Sequence, residues 1–86
     1  MDPWKILKYP LITEKTVGLV EKENKITFIV DRKANKKQIK EAFEKVFEVK
    51  VDKINTVITF KGEKKAIIKL KPEHKAADVA VKLGII

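Results

Sequence analysis

Ten of the twenty cationic side chains in this sequence are concentrated in two short tracts. Arg32, Lys33, Lys36, Lys37 and Lys40 stand against the single carboxylate Asp31. Lys61, Lys64, Lys65, Lys69 and Lys71 stand against Glu63. The rest of the chain nearly cancels, so these two tracts account for the whole formal charge of +8. Ammonium groups grouped in this way can hold a row of phosphate oxygens, because one sign of charge raises the local potential and draws in a polyanion. Little else in the sequence could do chemistry. Serine and cysteine are absent, His74 is the only histidine, and Gly18, Gly62 and Gly84 form no phosphate loop. The residues of a nucleophilic triad, a zinc centre or a disulfide framework are therefore missing, and no carboxylate pair stands beside a plausible base. The expectation is a binding protein, not an enzyme, that uses no cofactor and no small-molecule substrate.

Turns and helix ends must position these lysines. The strongest periodicity is Ile39, Ala42, Phe43, Val46 and Phe47, which share one face of a helix over Lys36 to Glu48. Asn35 and Gln38 suit a capping box at its start. Alternation predicts three strands. One has Ile26, Phe28 and Val30 on one face and Thr27, Ile29 and Asp31 on the other. A second, from about Val51 to Thr59, sets Ile54 and Ile58 against Lys53, Asn55 and Val57. A third, Lys65 to Lys71, sets Ala66, Ile68 and Leu70 inward and Ile67 and the lysines outward. Gly62 lies in the short link Thr59 to Lys64, which marks a hairpin, and Pro72 ends the third strand.

Residues 5 to 12 read as an extended, edge-strand segment because Pro10 restricts Tyr9. A helix then starts at the Thr13 cap, with Glu14 on the dipole and Ile12 and Val17 as a hydrophobic staple, and frays near Glu23 and Asn24. A last helix takes Ala76, Ala77, Val79, Ala80 and Leu83 and ends at Gly84. The expected fold is α+β, a mostly antiparallel sheet of three to four strands with helices packed against it. Its βαββ core is related to the ferredoxin-like pattern, in one domain over residues 1–86.

Each basic tract has two readings. Lys33, Lys36, Lys37 and Lys40 crowd the positive end of a helix dipole, where each should cost a few tenths of a kcal/mol unless an anion sits there. Lysine is also the commonest surface residue of this chain, and Glu41 can pair with Lys45 further along the same helix. The hairpin lysines make a basic ribbon, and lysine on the wet face of a sheet also protects an exposed edge. Trp4 and Tyr9 could stack on bases or close an edge of the core. Phe28 and Phe60 are too far apart to form the paired stacking platform of a sheet-based RNA reader. Bilayer spanning is excluded by the lack of any apolar run near about 20 residues, and the first ten residues do not resemble a signal peptide, so the chain reads as intracellular and soluble.

Three motifs in order carry a resemblance. Lys64-Lys65-Ala66-Ile67-Ile68-Lys69-Leu70-Lys71, followed by Val79, is similar to a signature of two basic residues, a small residue, two apolar residues, a basic residue and leucine. Tyr9-Pro10-Leu11-Ile12-Thr13-Glu14-Lys15 is similar to an opening of proline, apolar residues, Ser/Thr, Glu and Lys. The third is Ile54-Asn55-Thr56-Val57 leading to Lys61-Gly62. Together they resemble the universal family of large-subunit ribosomal protein twenty-three, in its short archaeal form, over the whole length.

The resemblance implies a cytoplasmic, ribosome-bound protein that holds large-subunit rRNA beside the exit of the nascent-peptide tunnel, next to other large-subunit proteins. The expected rRNA-binding residues are Lys8, Tyr9, Thr13, Lys15, Arg32, Lys33, Asn35, Lys36, Lys37, Lys40, Asn55, Thr56, Lys61, Gly62, Lys64, Lys65 and Lys69. Glu14 matches the position at which factors dock, here expected to be signal recognition particle or a nascent-chain-associated complex. The hairpin link is too short to reach far into a tunnel, and the chain begins almost at the domain, both as in the archaeal type. The rivals are a free-standing RNA-binding module and a lysine-rich adaptor for a membrane surface or acidic protein. The adaptor is disfavoured because the apolar face of Lys36 to Glu48 is needed for the core.

Overall fold

The amino-terminal segment is not simply extended. In the computed structural model, which describes residues 2–84, Pro3–Ile6 forms one helical turn, α1, and only Leu7–Pro10 forms a strand, β1. The cause is Asp2. Its carboxylate accepts from the Trp4 N–H at 3.0 Å, and Pro3 enters the turn with φ already set, so a cap and a preset first residue override the extended bias of the segment.

Helix α2, Glu14–Glu23, begins at Thr13 as expected, but hydroxyls fix its first turn in place of the staple. The Thr16 N–H donates to Thr13 Oγ1 at 3.1 Å, the Thr13 N–H donates back to Thr16 Oγ1 at 2.8 Å, and the Thr16 hydroxyl reaches the Leu11 carbonyl. Ile12 is left 55% exposed and Val17 is only partly buried. Asn24 ends the helix in the left-handed region, with φ 57°. Its side chain then joins distant segments: Nδ2 donates to the carbonyls of Leu70 and His74, and Oδ1 accepts the Ala76 N–H at 2.6 Å.

Four further elements complete the chain before its last helix: β2 (Lys25–Val30), α3 (Lys36–Phe47), β3 (Val51–Ile58) and β4 (Lys64–Leu70). Helix α3 carries the expected reciprocal cap. The Gln38 N–H donates to Asn35 Oδ1 at 2.8 Å, and the Asn35 N–H donates to Gln38 Oε1 at 3.0 Å. Past its end, Glu44 Oε2 accepts the Val51 N–H and draws the start of β3 to the helix. The last helix, α4, is Ala76–Leu83 and ends at Gly84 with φ 74°. Lys75 at its N-cap gives no side-chain cap, so the Asn24 carboxamide does that work from across the molecule.

All three strand pairings are antiparallel and the order is β1-β2-β4-β3. Strands β2 and β3 therefore run parallel, joined through α3, and β4 returns between them as in a split βαβ unit. One face of this sheet carries Ile26, Phe28, Val30, Ala66, Ile68 and Leu70, all buried in one cluster with Ile39, Ala42, Phe43 and Phe47 of α3, Val20 of α2, and Ala76, Val79 and Ala80 of α4. Phe28, Phe43 and Phe47 meet in tilted and edge-on geometry with centroids 4.7–6.1 Å apart, and Trp4 adds its edge to Phe47 at 6.3 Å.

The expected strand faces hold in β2 and β3, but burial does not follow them throughout. Thr27 and Ile29 are buried although they lie on the face opposite Phe28, because β2 is an interior strand flanked by β1 and β4. Ile58 is exposed although Ile54 is buried, because β3 is an edge strand whose far end runs beyond the helices. A register shift between Val51 and Lys53 resets the alternation of β3 at its start.

Candidate nucleic-acid interface

The link between β3 and β4 is a tight turn. The Gly62 N–H donates to the Thr59 carbonyl at 2.9 Å, and the Thr59 N–H donates to the Glu63 carbonyl at 2.8 Å. Gly62 has φ 85°, the left-handed position that closes a three-residue loop and that glycine adopts without strain. It also admits a neighbour: Arg32 Nη1 lies 3.6 Å from the site a Gly62 Cβ would occupy. The Lys64 ammonium meanwhile donates to the Ala34 carbonyl in the loop before α3. The two basic tracts thus meet, at one hydrogen bond and around one shared depression.

The hairpin end, with β1 alongside, forms a shallow depression of about 200 Å³ lined by Lys8, Tyr9, Ile29, Arg32, Lys61, Gly62, Glu63 and Lys64 among others. The one carboxylate on its wall, Glu63, accepts the Tyr9 hydroxyl at 2.6 Å. That hydrogen bond first, then burial and the adjacent negative charge, raises the Tyr9 phenol above its ordinary value of 10.0 and keeps it a neutral donor.

A second depression, about 300 Å³, runs between the first half of α3 and the outer edge of β3. Lys36, Lys37, Lys40 and Lys53 surround an apolar floor of Val51 and Ile54, with Asp52 the only carboxylate. Helix α3 has no acidic residue in its first turn, so its unpaired N–H groups and these ammonium groups offer positive charge to the same neighbourhood.

The third basic group comes from register. Lys69 pairs with Lys25 on one side and Lys53 on the other, so three lysines cross the open face of the sheet in a row. Like charges directly opposite one another destabilise a sheet unless something neutralises them. Among the described residues the one ion pair is Lys25 with Glu23, at 3.0 Å. The expected partners Glu41 and Lys45, four apart on α3, do not form one. Apart from Lys64, whose ammonium holds the Ala34 carbonyl, the other interface cations meet no carboxylate among the described residues and are available to an external anion.

Not every expected residue joins these groups. Lys65 points to the open face opposite Ile29 and Val57, as expected. Lys64 does not: it shares the side of Ala66 and is half-buried against Ala34. Asn55 and Thr56 take opposite faces of β3, Asn55 exposed opposite Ile67 and Thr56 partly buried opposite Ala66. Asn35 is occupied as a cap, while Lys33 is exposed in the same loop. Thr13 is the cap of α2, and Lys15 lies with Glu14, Gly18, Leu19 and Lys22 along the outer side of that helix, lining neither basic depression. Sequence reasoning missed Lys25 and Lys53. Their alignment with Lys69 depends on strand order and bulge position, which alternation alone does not carry.

Among the described residues no helix is long and apolar enough to cross a membrane, and no three carboxylate, imidazole or thiol groups gather as a metal site. Comparison with known proteins gives a family. A family described as "Ribosomal protein L23" matches residues 5–82. A protein of Methanothermobacter thermautotrophicus, named large ribosomal subunit protein uL23, is 47% identical over 85 residues, 99% of each chain. One of the same name from Methanococcus aeolicus is 51% identical over 85 residues, again 99% of each.

Proposed function

The chain belongs to the ribosomal protein L23 family, and on that premise we propose that it is a structural component of the large ribosomal subunit in the cytoplasm. All of it acts as one domain that binds large-subunit rRNA and packs beside neighbouring subunit proteins. The observation that carries this reading is the meeting of two sequence-distant lysine tracts, with Arg32 close to Gly62 and Lys64 bonded to Ala34, beside two depressions that each hold several cations and one carboxylate. Such a surface is suited to phosphates that follow a folded RNA, since the Lys8, Arg32 and Lys61 end and the Lys36, Lys37, Lys40 and Lys53 groove belong to one rigid framework.

The protein sits, in this reading, beside the exit of the nascent-peptide tunnel. The exposed outer side of α2, headed by Glu14 and smoothed by Gly18, faces the emerging chain there and serves signal recognition particle or a nascent-chain-associated complex. The deciding experiment measures binding to isolated large-subunit rRNA and to an unrelated folded RNA of equal length across a salt series. Selective binding that survives at high salt is expected. Equal binding to both, lost steeply as about five or more counterions are released, would reduce the protein to a generic polyanion binder.

A further inference from the structure

The most exposed large hydrophobic side chain among the described residues is an aromatic one at the tip of the basic hairpin. Phe60 is 97% exposed, next to Lys61, in a turn closed by two backbone hydrogen bonds. Phenylalanine gains nothing for the fold there. It lies outside the core, and every other phenylalanine of the chain is buried in the Phe28, Phe43, Phe47 cluster. We propose that Phe60 is a stacking residue that inserts against an unpaired base of the RNA held by the hairpin; the proposal rests on the rRNA-binding reading above.

Three features favour a base over an apolar protein surface. The tip is cationic: Lys61 follows Phe60 in the turn and lines one depression with Lys8, Arg32 and Lys64. The apolar residues leading to the tip alternate with cations across the ribbon: Val57, 48% exposed, pairs with Lys65, and Ile58, 49% exposed, pairs with Lys64. A protein-binding patch would be depleted of lysine at its centre, whereas an exposed ring on a lysine-rich hairpin matches a nucleotide, with a flat apolar face beside an anionic phosphate. The turn geometry also keeps the cost of ordering low. Gly62 in its left-handed conformation and the Tyr9–Glu63 hydrogen bond brace the loop, so only the ring's own torsions remain to be fixed.

Stacking does not depend on charge, which separates it from the lysine contacts. The test uses three proteins: Phe60→Ala, Phe60→Trp in a Trp4→Phe background, and Lys61→Glu/Lys65→Glu/Lys69→Glu. Each is titrated with transcribed large-subunit rRNA and with a perfectly paired RNA duplex of equal length. The Phe60→Ala protein is expected to bind the rRNA about tenfold more weakly with an unchanged salt slope, and the duplex as before. The Phe60→Trp protein should bind the rRNA as the parent does, with its emission quenched on binding. Undiminished rRNA affinity in Phe60→Ala, with the lysine reversals still weakening binding, would overturn the stacking role while leaving the rRNA reading intact. If the lysine reversals also left affinity unchanged, the rRNA reading itself would fall.

Discussion

The hairpin end and the α3 groove are equally basic in sequence, but they hold their charge in different ways. At the hairpin end the cations are built into the fold: Lys64 is bound to the Ala34 carbonyl and Arg32 rests on the turn at Gly62. In the groove, Lys36, Lys37 and Lys40 oppose the dipole of their own helix and Lys53 faces a like charge on Lys69, with no carboxylate paired to any of them among the described residues. One region spends part of its charge on architecture. The other carries an electrostatic penalty that only a bound anion relieves. A lysine count cannot separate the two, whereas the partner of each ammonium group can.

The largest effect that could break this contrast comes from Lys36→Glu/Lys37→Glu/Lys40→Glu. Affinity for large-subunit rRNA should fall about 100-fold at moderate salt, with the salt slope reduced by about two to three. The melting temperature should hold or rise, since acids at a helix start favour the dipole. A fall in melting temperature alongside the lost affinity would mean that the groove is structural after all.

A smaller effect tests the other region. Lys64→Ala should lower stability in urea by about 1 kcal/mol, because the part-buried Ala34 carbonyl loses its donor, while Lys61→Ala should leave stability alone and trim only the salt slope, by about one. Equal behaviour of the two variants would erase the distinction between built-in and free charge. The smallest effect is spectroscopic. The single tyrosine should titrate with a midpoint above 10.0, returning toward it in Glu63→Gln. Because folding raises this pKa, the Tyr9–Glu63 contact contributes fully below pH 10.0 and is lost as pH climbs through the raised value. A midpoint unmoved by Glu63→Gln would detach the brace from the hairpin.

Much of the fold was legible in local pattern. Asn35, Gln38 and the five apolar positions of α3 announced that helix, and Ala66, Ile68 and Leu70 announced the inward face of β4, because caps and periods are properties of neighbours in sequence. Thr13, Gly84 and the hairpin at Gly62 were readable for the same reason. What escaped depended on strand order. Ile29 is buried and Ile58 exposed because one strand is interior and the other an edge, and Lys25 and Lys53 align with Lys69 only once β4 has entered between β2 and β3. The charge excess pointed to the two basic tracts, but the structural part played by Lys64 was hidden, since its partner is a backbone carbonyl thirty residues away. The role of Phe60 was hidden by the opposite cause: its significance lies in standing clear of everything else.

Asn24 gives the molecule a sense of time. Its carboxamide must receive the Ala76 N–H and reach the Leu70 and His74 carbonyls, all about fifty residues later in the chain. As the polypeptide is made from its amino terminus, that side chain is in place long before the helix it will cap has left the synthesising ribosome. Helix α4 lacks a cap of its own and so cannot be fastened at its start until β4 is laid against β2, which brings Leu70 to Asn24. Closure of the core is in this way a late event, and Asn24 acts as the latch.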